Sequence, residues 1–268
     1  PTDRQRPIAL PPPRQALGLP PDAFVFCAFS GNYKISPDIF AIWLRLLAAV
    51  PGSVLWLVKG SEDASANLRA QAQQAGIDPA RLVFAERTRF DQYLARYTLA
   101  DLFLDTLPYN ALATASDALW AGLPVLTCTG QTYVGRGATS IVRAAGLPEL
   151  ATSTLAEYEA LALRLATRPA ELAALRLRLQ QNRAACPLHD TPAYTRHLEA
   201  AYTRMAQEHD LCDRAACRSR CKECEKIIAE DYLYRLVQGD FFIGDFDEVH
   251  EAAAVEEHPK PDGKECEE

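Results

Sequence analysis

The sequence predicts an α/β protein built on a Rossmann-like parallel sheet. Short apolar runs alternate with segments of helical pattern over the first 150 residues. The runs are apolar throughout, as in strands that are buried on both faces of a sheet. Their spacing leaves room for a crossover helix between consecutive strands, which is typical of right-handed βαβ units.

The predicted elements follow one another in a regular order. The first strand is the run FVFCAF at 24–29, after which Ser36 and Pro37 provide the N-cap and first residue of a helix. That helix ends before Gly52. Further strands are predicted at 54–58, 82–85, 102–105 and 125–127, and helices at 64–75, 90–97 and around 117–121. After Pro148 the pattern is wholly helical, at 155–167, 169–184 and 192–208.

Composition and charge exclude several classes of protein. Hydrophobic residues make up 49% and charged residues 24% of the chain, as in soluble globular proteins. No apolar run reaches the roughly 18 residues that span a bilayer, so we expect no membrane partner. Residues 226–268 carry four Lys/Arg against 13 Asp/Glu, and this net of −9 leaves +2 for residues 1–225 out of the total of −7. Neither part offers the basic face that nucleic acids need.

The scattered cysteines and the start of the chain bear on its compartment. Cys27, Cys128 and Cys186 lie in apolar or loop settings, which predicts free buried thiols and favours a reducing, cytoplasmic location. The chain opens at Pro1 with neither a basic nor an apolar leader, so we expect no signal peptide. The same start leads us to expect a piece of a longer protein.

The chain divides into four predicted regions. Residues 1–22 are Pro-rich and typical of an extended linker, and residues 23–207 form the predicted Rossmann-like domain. Residues 208–246 are predicted to form a Cys-rich helical extension, and residues 247–268 a disordered acidic tail.

The clustered cysteines of the extension allow two interpretations, a zinc site or a Cys-bearing helix. They are spaced C-x4-C-x3-C-x2-C within 13 residues, with His209 as an alternative ligand. A zinc site made of four cysteines usually contains two close pairs separated by a longer loop, and only the last pair here has that spacing. We therefore favour the helix over a metal site at Cys212, Cys217, Cys221 and Cys224.

The first candidate binding loop is YNALATASD at 109–117, which joins a predicted strand to a predicted helix. Its alanines allow a ligand to approach closely, and Thr114 and Ser116 can donate hydroxyl hydrogens to phosphate oxygens at the helix N-terminus. Asp117 can accept hydrogen bonds from ribose hydroxyls. The alternative interpretation is a simple N-cap, in which Thr114 or Ser116 caps the helix and Asp117 complements its dipole.

The second candidate loop is SGNYK at 30–34, directly after the first predicted strand. Lys34 can neutralise a diphosphate leaving group there, or it can be an ordinary solvated lysine. Because both loops follow the carboxyl ends of parallel strands, we expect them to face the same cleft. Together they predict a nucleotide-binding site.

Several separated motifs give the chain a resemblance to a known family. They are FCAFSGNYKISPDIFAIWLRLLAAVPGSVLWLV, RYTLADLFLDTLPYNALATASDALWAGLPVLT, GRGATS and AAGLPELAT, in that order. Over residues 1–207 the chain resembles the C-terminal catalytic half of the O-linked N-acetylglucosamine transferase family, including SPINDLY-like and tetratricopeptide-containing bacterial members. The resemblance implies the C-terminal domain of a GT-B glycosyltransferase that binds UDP-N-acetylglucosamine. It also implies inverting transfer to Ser/Thr hydroxyls of proteins, with no metal or other cofactor required.

The resemblance also assigns roles to individual residues. It implies that Lys34, our catalytic candidate, contacts the diphosphate, that Arg96 lies near the uridine and that Thr114 binds phosphate. By the same resemblance Asp117 binds the ribose. The implied donor-binding residues are Gly31, Tyr33, Lys34, Tyr93, Arg96, Asn110, Ala113, Thr114 and Asp117.

Four positions depart from the family pattern. Gly31 stands where the family has Gln, Tyr93 and Leu112 where it often has His, and Ala113 where it has the first of two phosphate-binding Thr residues. Each lost side chain removes a hydrogen bond worth about 0.5–1.5 kcal/mol.

The leading interpretation is the donor-binding half of a protein O-glycosyltransferase. In the family, an acceptor-facing half and a repeat array precede this domain, so we expect the chain alone to bind a nucleotide without catalysing transfer. His189 and His197 are expected to be ordinary surface residues. The alternative is a non-catalytic protein-interaction module with a degenerate nucleotide pocket and a zinc-binding tail.

Overall fold

The computed structural model describes residues 4–214, with side chains as far as residue 207. Within that range the chain forms one sheet from six strands: β1 (Val25–Ala28), β2 (Val54–Val58), β3 (Leu82–Ala85), β4 (Leu102–Leu104), β5 (Val125–Cys128) and β6 (Ala151–Thr152). All neighbouring strands are parallel, in the order β3-β2-β1-β4-β5-β6. The predicted α/β class with a parallel sheet is confirmed.

Helices connect and cover the strands. They are α1 (Pro37–Ala49), α2 (Glu62–Gln74), α3 (Phe90–Tyr97), α4 (Ala113–Trp120), α5 (Tyr133–Ala144), α6 (Leu155–Thr167), α7 (Pro169–Asn182) and α8 (Thr191–Arg214). The start of α1 follows the sequence signal, because the Ser36 hydroxyl accepts a hydrogen bond from the Ile39 amide at 3.4 Å and Pro37 is the first helical residue. The strand runs are buried as predicted, and β3, at the edge of the sheet, is the least so.

Two elements differ from the sequence prediction. The segment after Pro148, predicted to be wholly helical, contains β6, which has two residues paired with Thr127 and Cys128. A strand of that length leaves no periodic signal in the sequence. Helix α5 was not predicted, because Gly135 and Gly137 in its first half have low helix propensity.

The strand order places a crevice beside β1. The chain order reverses between β1 and β4, which lie side by side with Phe26 opposite Leu102 and Cys27 opposite Phe103. In open α/β sheets, ligands bind at the carboxyl ends of the strands at such a point. The two candidate loops follow β1 and β4, so both lie at this edge of the sheet.

A buried chain of hydrogen bonds ties three elements together beneath this edge. The Trp43 indole on α1 donates to the Tyr158 hydroxyl of α6 at 3.2 Å, and that hydroxyl donates to the main-chain oxygen of Asp105 at 3.0 Å. Trp43 and Tyr158 are fully buried. The end of β4 is therefore fixed by two helices.

Residues 4–22 are not detached from the domain. The segment runs without regular structure to Pro13 and then makes a 3-10 turn, after which Leu19 is only 1% exposed. Arg14 donates to the main-chain oxygens of Leu99 at 3.1 Å and Ala23 at 2.8 Å. The predicted linker thus packs along the domain that it precedes.

The remaining expectations concern the C-terminal part of the chain. Residues 208–214 of the predicted extension belong to α8, whereas residues 215–246, the acidic tail and the sulfur atoms proposed as zinc ligands lie outside the described part of the structure. Among the residues with described side chains, Cys27, Cys128 and Cys186 are free and buried, as predicted. In the described range, no helix has the length and apolar character of a membrane span, and no group of three metal-ligating side chains is present.

Candidate functional site

The loops after β1 and β4 are in direct contact. Lys34 Nζ donates a hydrogen bond to the main-chain oxygen of Asn110 at 3.0 Å and lies 3.8 Å from the centre of the Tyr109 ring. Tyr33, which is 81% exposed, packs edge-on against Tyr109 with the ring centres 6.3 Å apart. The two predicted loops therefore share one cleft.

Lys34 is a partly desolvated cation. Burial lowers the pKa of its ammonium group, and the negative charge of Asp105 acts in the opposite direction. A cation that has lost part of its hydration interacts more strongly with an incoming anion than a fully solvated lysine does. Of the two interpretations of Lys34, the geometry favours the ligand-facing one.

Asp105, directly after β4, organises the loop that leads into α4. One carboxylate oxygen accepts hydrogen bonds from the amides of Thr106 and Ala111, both at 2.7 Å, and the other accepts from the Thr127 hydroxyl at 2.7 Å. Burial raises the pKa of Asp105 to about 7, while these hydrogen bonds and Lys34 oppose the rise. The sequence interpretation missed this residue, although a carboxylate directly after an apolar strand was a usable signal.

Asn110 is fully buried and fixes the loop from inside. Its amide nitrogen Nδ2 donates to the main-chain oxygen of Thr106 at 2.8 Å, and its main-chain N–H donates to the main-chain oxygen of Val134 at 2.9 Å. These bonds hold the carbonyl group that meets Lys34. Asn110 is therefore placed beside Lys34, as the prediction of a shared site requires.

Helix α4 starts without a side-chain cap. Leu112 occupies the N-cap position and makes no capping hydrogen bond, so neither Thr114 nor Ser116 caps the helix. The alternative interpretation of this segment as a simple N-cap is therefore wrong. Ala113 and Thr114 form the first turn, where the leading amide groups of a helix have no intrahelical acceptor and favour an anion.

Asp117 lies on the second turn of α4 in a group of tyrosines. The Tyr93 hydroxyl lies against both the Tyr97 hydroxyl and the Asp117 carboxylate. Tyr97 in turn donates to the main-chain oxygen of Thr114 at 3.4 Å. Burial raises the pKa of both tyrosines, so both hydroxyls stay protonated as hydrogen-bond donors. Tyr93, Thr114 and Asp117 are thus brought together by α3 and α4.

Arg6 is the second residue that the sequence interpretation missed. Its guanidinium forms an ion pair with Asp117 and lies 5.3 Å from the centre of the Phe90 ring. Arg6 precedes Asp117 by 111 positions and lies in the segment predicted as a linker. No local pattern in the sequence could have joined the two.

Other predicted residues are placed less centrally. Arg96 donates to the main-chain oxygen of Glu86, after β3, and burial lowers its pKa. Gly31 begins the 3-10 turn that carries Lys34, with an ordinary negative φ of −60°.

His189 is buried with its ring centre 4.9 Å from that of Trp120, so its prediction as a surface residue is wrong.

Three side chains at this edge have buried polar atoms with unused hydrogen-bonding capacity. They are Ser30 through its hydroxyl, Asn32 through both amide atoms and Asn110 through its amide oxygen, none of which finds a partner among the described residues. Buried polar groups are nearly always hydrogen-bonded, and exceptions are typical of sites that hold water or a ligand. The first and second loops therefore enclose polar groups that a ligand can satisfy.

Comparison with known proteins identifies relatives of this chain. A family model described as Glycosyl transferase family 41 matches residues 4–198. The chain is 35% identical over 199 residues to the probable UDP-N-acetylglucosamine–peptide N-acetylglucosaminyltransferase SEC of Arabidopsis thaliana, covering 74% of this chain and 20% of that protein. It is also 35% identical over 197 residues to UDP-N-acetylglucosamine–peptide N-acetylglucosaminyltransferase of Caenorhabditis elegans, covering 74% of this chain and 17% of the relative.

A solved structure shows the same fold. An O-GlcNAc transferase mutant of Thermobaculum terrenum superimposes with a TM-score of 0.66 at 33% identity, over 74% of this chain and 40% of that one. The chain spans about a fifth of the length of the two curated relatives. The similarity therefore covers one part of longer proteins.

Proposed function

Because the chain belongs to glycosyl transferase family 41, we propose that it is the donor-binding half of a protein O-glycosyltransferase. The proposed reaction transfers N-acetylglucosamine from UDP-N-acetylglucosamine to Ser or Thr hydroxyls, with inversion and without a metal or other cofactor. The names of the relatives from Arabidopsis thaliana and Caenorhabditis elegans support this donor and acceptor class.

One observation carries the proposal: the 3.0 Å contact between Lys34 Nζ and the main-chain oxygen of Asn110. It joins the loop after β1 to the loop that leads into the uncapped first turn of α4. A diphosphate between Lys34 and that turn would meet a cation on one side and amide groups on the other. This is the charge pattern that a pyrophosphate needs.

Lys34 and the first-turn amides of α4 can also stabilise the charge that develops on the diphosphate when the donor reacts. As the acceptor oxygen bonds to the sugar carbon, the bond from that carbon to the diphosphate breaks and its electron pair leaves with the diphosphate. Lys34 and the amides of Ala113 and Thr114 are fixed donors for this growing charge. We propose that they take the part that a divalent cation plays in other transferases.

The acceptor side of the reaction is assigned to the rest of a longer protein. Deprotonating the acceptor hydroxyl needs a base or a proton path, and the described residues around Lys34 supply donor-side groups. We propose that an acceptor-facing half and a repeat array provide the base and bind the acceptor protein. Buried free thiols at Cys27, Cys128 and Cys186 support a reducing, cytoplasmic location.

Calorimetric titration of the 268-residue chain with UDP tests the proposal. We expect saturable binding that Lys34→Ala weakens about ten-fold or more, because a charge-assisted contact is lost. Lys59→Ala is the matched control, since Lys59 pairs with Glu62 and Glu86 at the end of β2. If the wild-type chain does not bind UDP, the alternative of a non-catalytic protein-interaction module is favoured instead. The His and Thr side chains of the family that Leu112 and Ala113 replace here point to that alternative.

A further inference from the structure

The N-terminal segment delivers a charged side chain to the proposed ribose position. Arg6 pairs with Asp117, and the two side chains are 9% and 10% exposed. The Arg6 main-chain oxygen accepts a hydrogen bond from the Trp120 indole at 3.0 Å, while the guanidinium faces the ring of Phe90. Arg6 is therefore held between α3 and α4.

The buried surroundings of Asp117 favour a cationic partner for its carboxylate. Burial raises the pKa of Asp117, and the ion pair with Arg6 and the Tyr93 hydroxyl act against that rise. A buried carboxylate without a cation tends to bind a proton and then accepts hydrogen bonds less strongly. Two vicinal hydroxyls of a ribose are best bound by an ionised, oriented carboxylate.

The Arg6 guanidinium also has unused capacity. Its Nη1 is buried and finds no hydrogen-bond partner among the described residues, whereas Nη2 bonds Asp117. The segment that carries Arg6 is further anchored by the Ala9 amide, which donates to the main-chain oxygen of Asp91 at 3.2 Å. The segment is therefore hydrogen-bonded to both α3 and α4.

We propose that Arg6 is a positioning residue of the donor site, which orients the Asp117 carboxylate and keeps it ionised for the ribose hydroxyls of the nucleotide. The inference rests on the proposed function, because it takes Asp117 as the ribose-binding group. In this proposal, the segment that precedes β1 is part of the donor site. Arg6 acts here through Asp117 and not by direct contact with the diphosphate.

The test compares two nucleotides on the full chain by calorimetric titration. UDP carries both ribose hydroxyls, and 2′,3′-dideoxyuridine diphosphate carries neither. For Arg6→Gln we expect UDP affinity to fall about ten-fold and dideoxy nucleotide affinity to change less than about two-fold. Arg6→Lys, which keeps the charge, should recover part of the loss.

Arg4→Gln is the matched control. Arg4 lies two positions away on the same segment and pairs at 3.4 Å with Asp190, so the variant removes the same charge from a different contact. It should leave both affinities within about two-fold of wild type. Equal losses in Arg4→Gln and Arg6→Gln would show a general charge effect and overturn the inference.

A charge-balanced variant guards against misfolding of Arg6→Gln. Arg6→Gln/Asp117→Asn leaves no unpaired buried charge, and it should bind UDP within about two-fold of Asp117→Asn alone. A further loss of about ten-fold in the double variant would mean direct contact with the nucleotide, contradicting a role through Asp117. Wild-type UDP binding that Arg6→Gln leaves unchanged or strengthens overturns this inference alone, whereas no binding by wild type overturns the proposed function as well.

Discussion

Lys34 donates a hydrogen bond to the main-chain oxygen of Asn110 at 3.0 Å, across the point where the strand order of the sheet reverses. The contact joins a loop after β1 to a loop that is 76 positions later in the sequence. In the proposed function, this contact would place binding groups on two sides of a nucleotide diphosphate.

Asp105 should make stability depend on pH. Its pKa in the folded chain is about 7, above the ordinary value of 3.8 for an aspartate. Between these values the folded chain retains a proton that the unfolded chain has released. The carboxyl therefore stabilises the fold most below about pH 4, and this contribution is lost as pH rises to about 7.

Asp105→Asn should remove this dependence. The Asn amide oxygen can accept from the amides of Thr106 and Ala111, and its amide nitrogen can donate to the Thr127 hydroxyl. Urea unfolding at about pH 5 and about pH 8 should show the wild type losing about 2 kcal/mol relative to the variant at the higher pH. Parallel pH profiles for the two proteins would contradict the assignment.

Ala113→Thr should strengthen UDP binding. Ala113 is exposed at the first turn of α4, so a hydroxyl fits there and can donate to a phosphate oxygen. One added hydrogen bond is worth about 0.5–1.5 kcal/mol, or about two-fold to ten-fold in affinity measured by calorimetry. Ala170→Thr, in the first turn of α7, is the matched control and should leave the affinity for UDP unchanged. Weaker binding by Ala113→Thr would place the phosphate elsewhere.

Tyr158→Phe should destabilise the fold. The substitution leaves the Trp43 indole and the Asp105 main-chain oxygen without their buried partner. We expect a loss of about 1–3 kcal/mol in the free energy of unfolding, measured with urea. Tyr202→Phe is the control at an exposed tyrosine and should cost less than about 0.5 kcal/mol. Equal losses of unfolding free energy in the two variants would show that the buried hydrogen bonds of Tyr158 do not support the end of β4.

The sheet was largely predictable because its strands are continuous apolar runs, and because Ser36 and Pro37 mark a helix start by local chemistry. The carboxyl ends of parallel strands lie at the same edge of a sheet, so the meeting of the two loops was expected from topology. The two-residue strand β6 was not predictable, since its partner lies 24 positions earlier and pairing alone defines it.

The site was only partly predictable, for a similar reason. Lys34 and Asn110 belong to strand-end loops, whose position any parallel sheet fixes. Arg6 reaches Asp117 through tertiary packing of a Pro-rich segment, and His189 is buried by the side of Trp120. Neither contact can be predicted from the residues that are next to its two partners in the sequence.

The most direct test of the account is to titrate Lys34→Ala with UDP and with uridine, which lacks the diphosphate. If the cleft holds a diphosphate at Lys34 and α4 and a ribose at Asp117, the variant should lose about ten-fold or more in UDP affinity and keep its uridine affinity within about two-fold of wild type. Equal losses for the two ligands, or no loss for UDP, would contradict the claim that the two loops together bind the pyrophosphate.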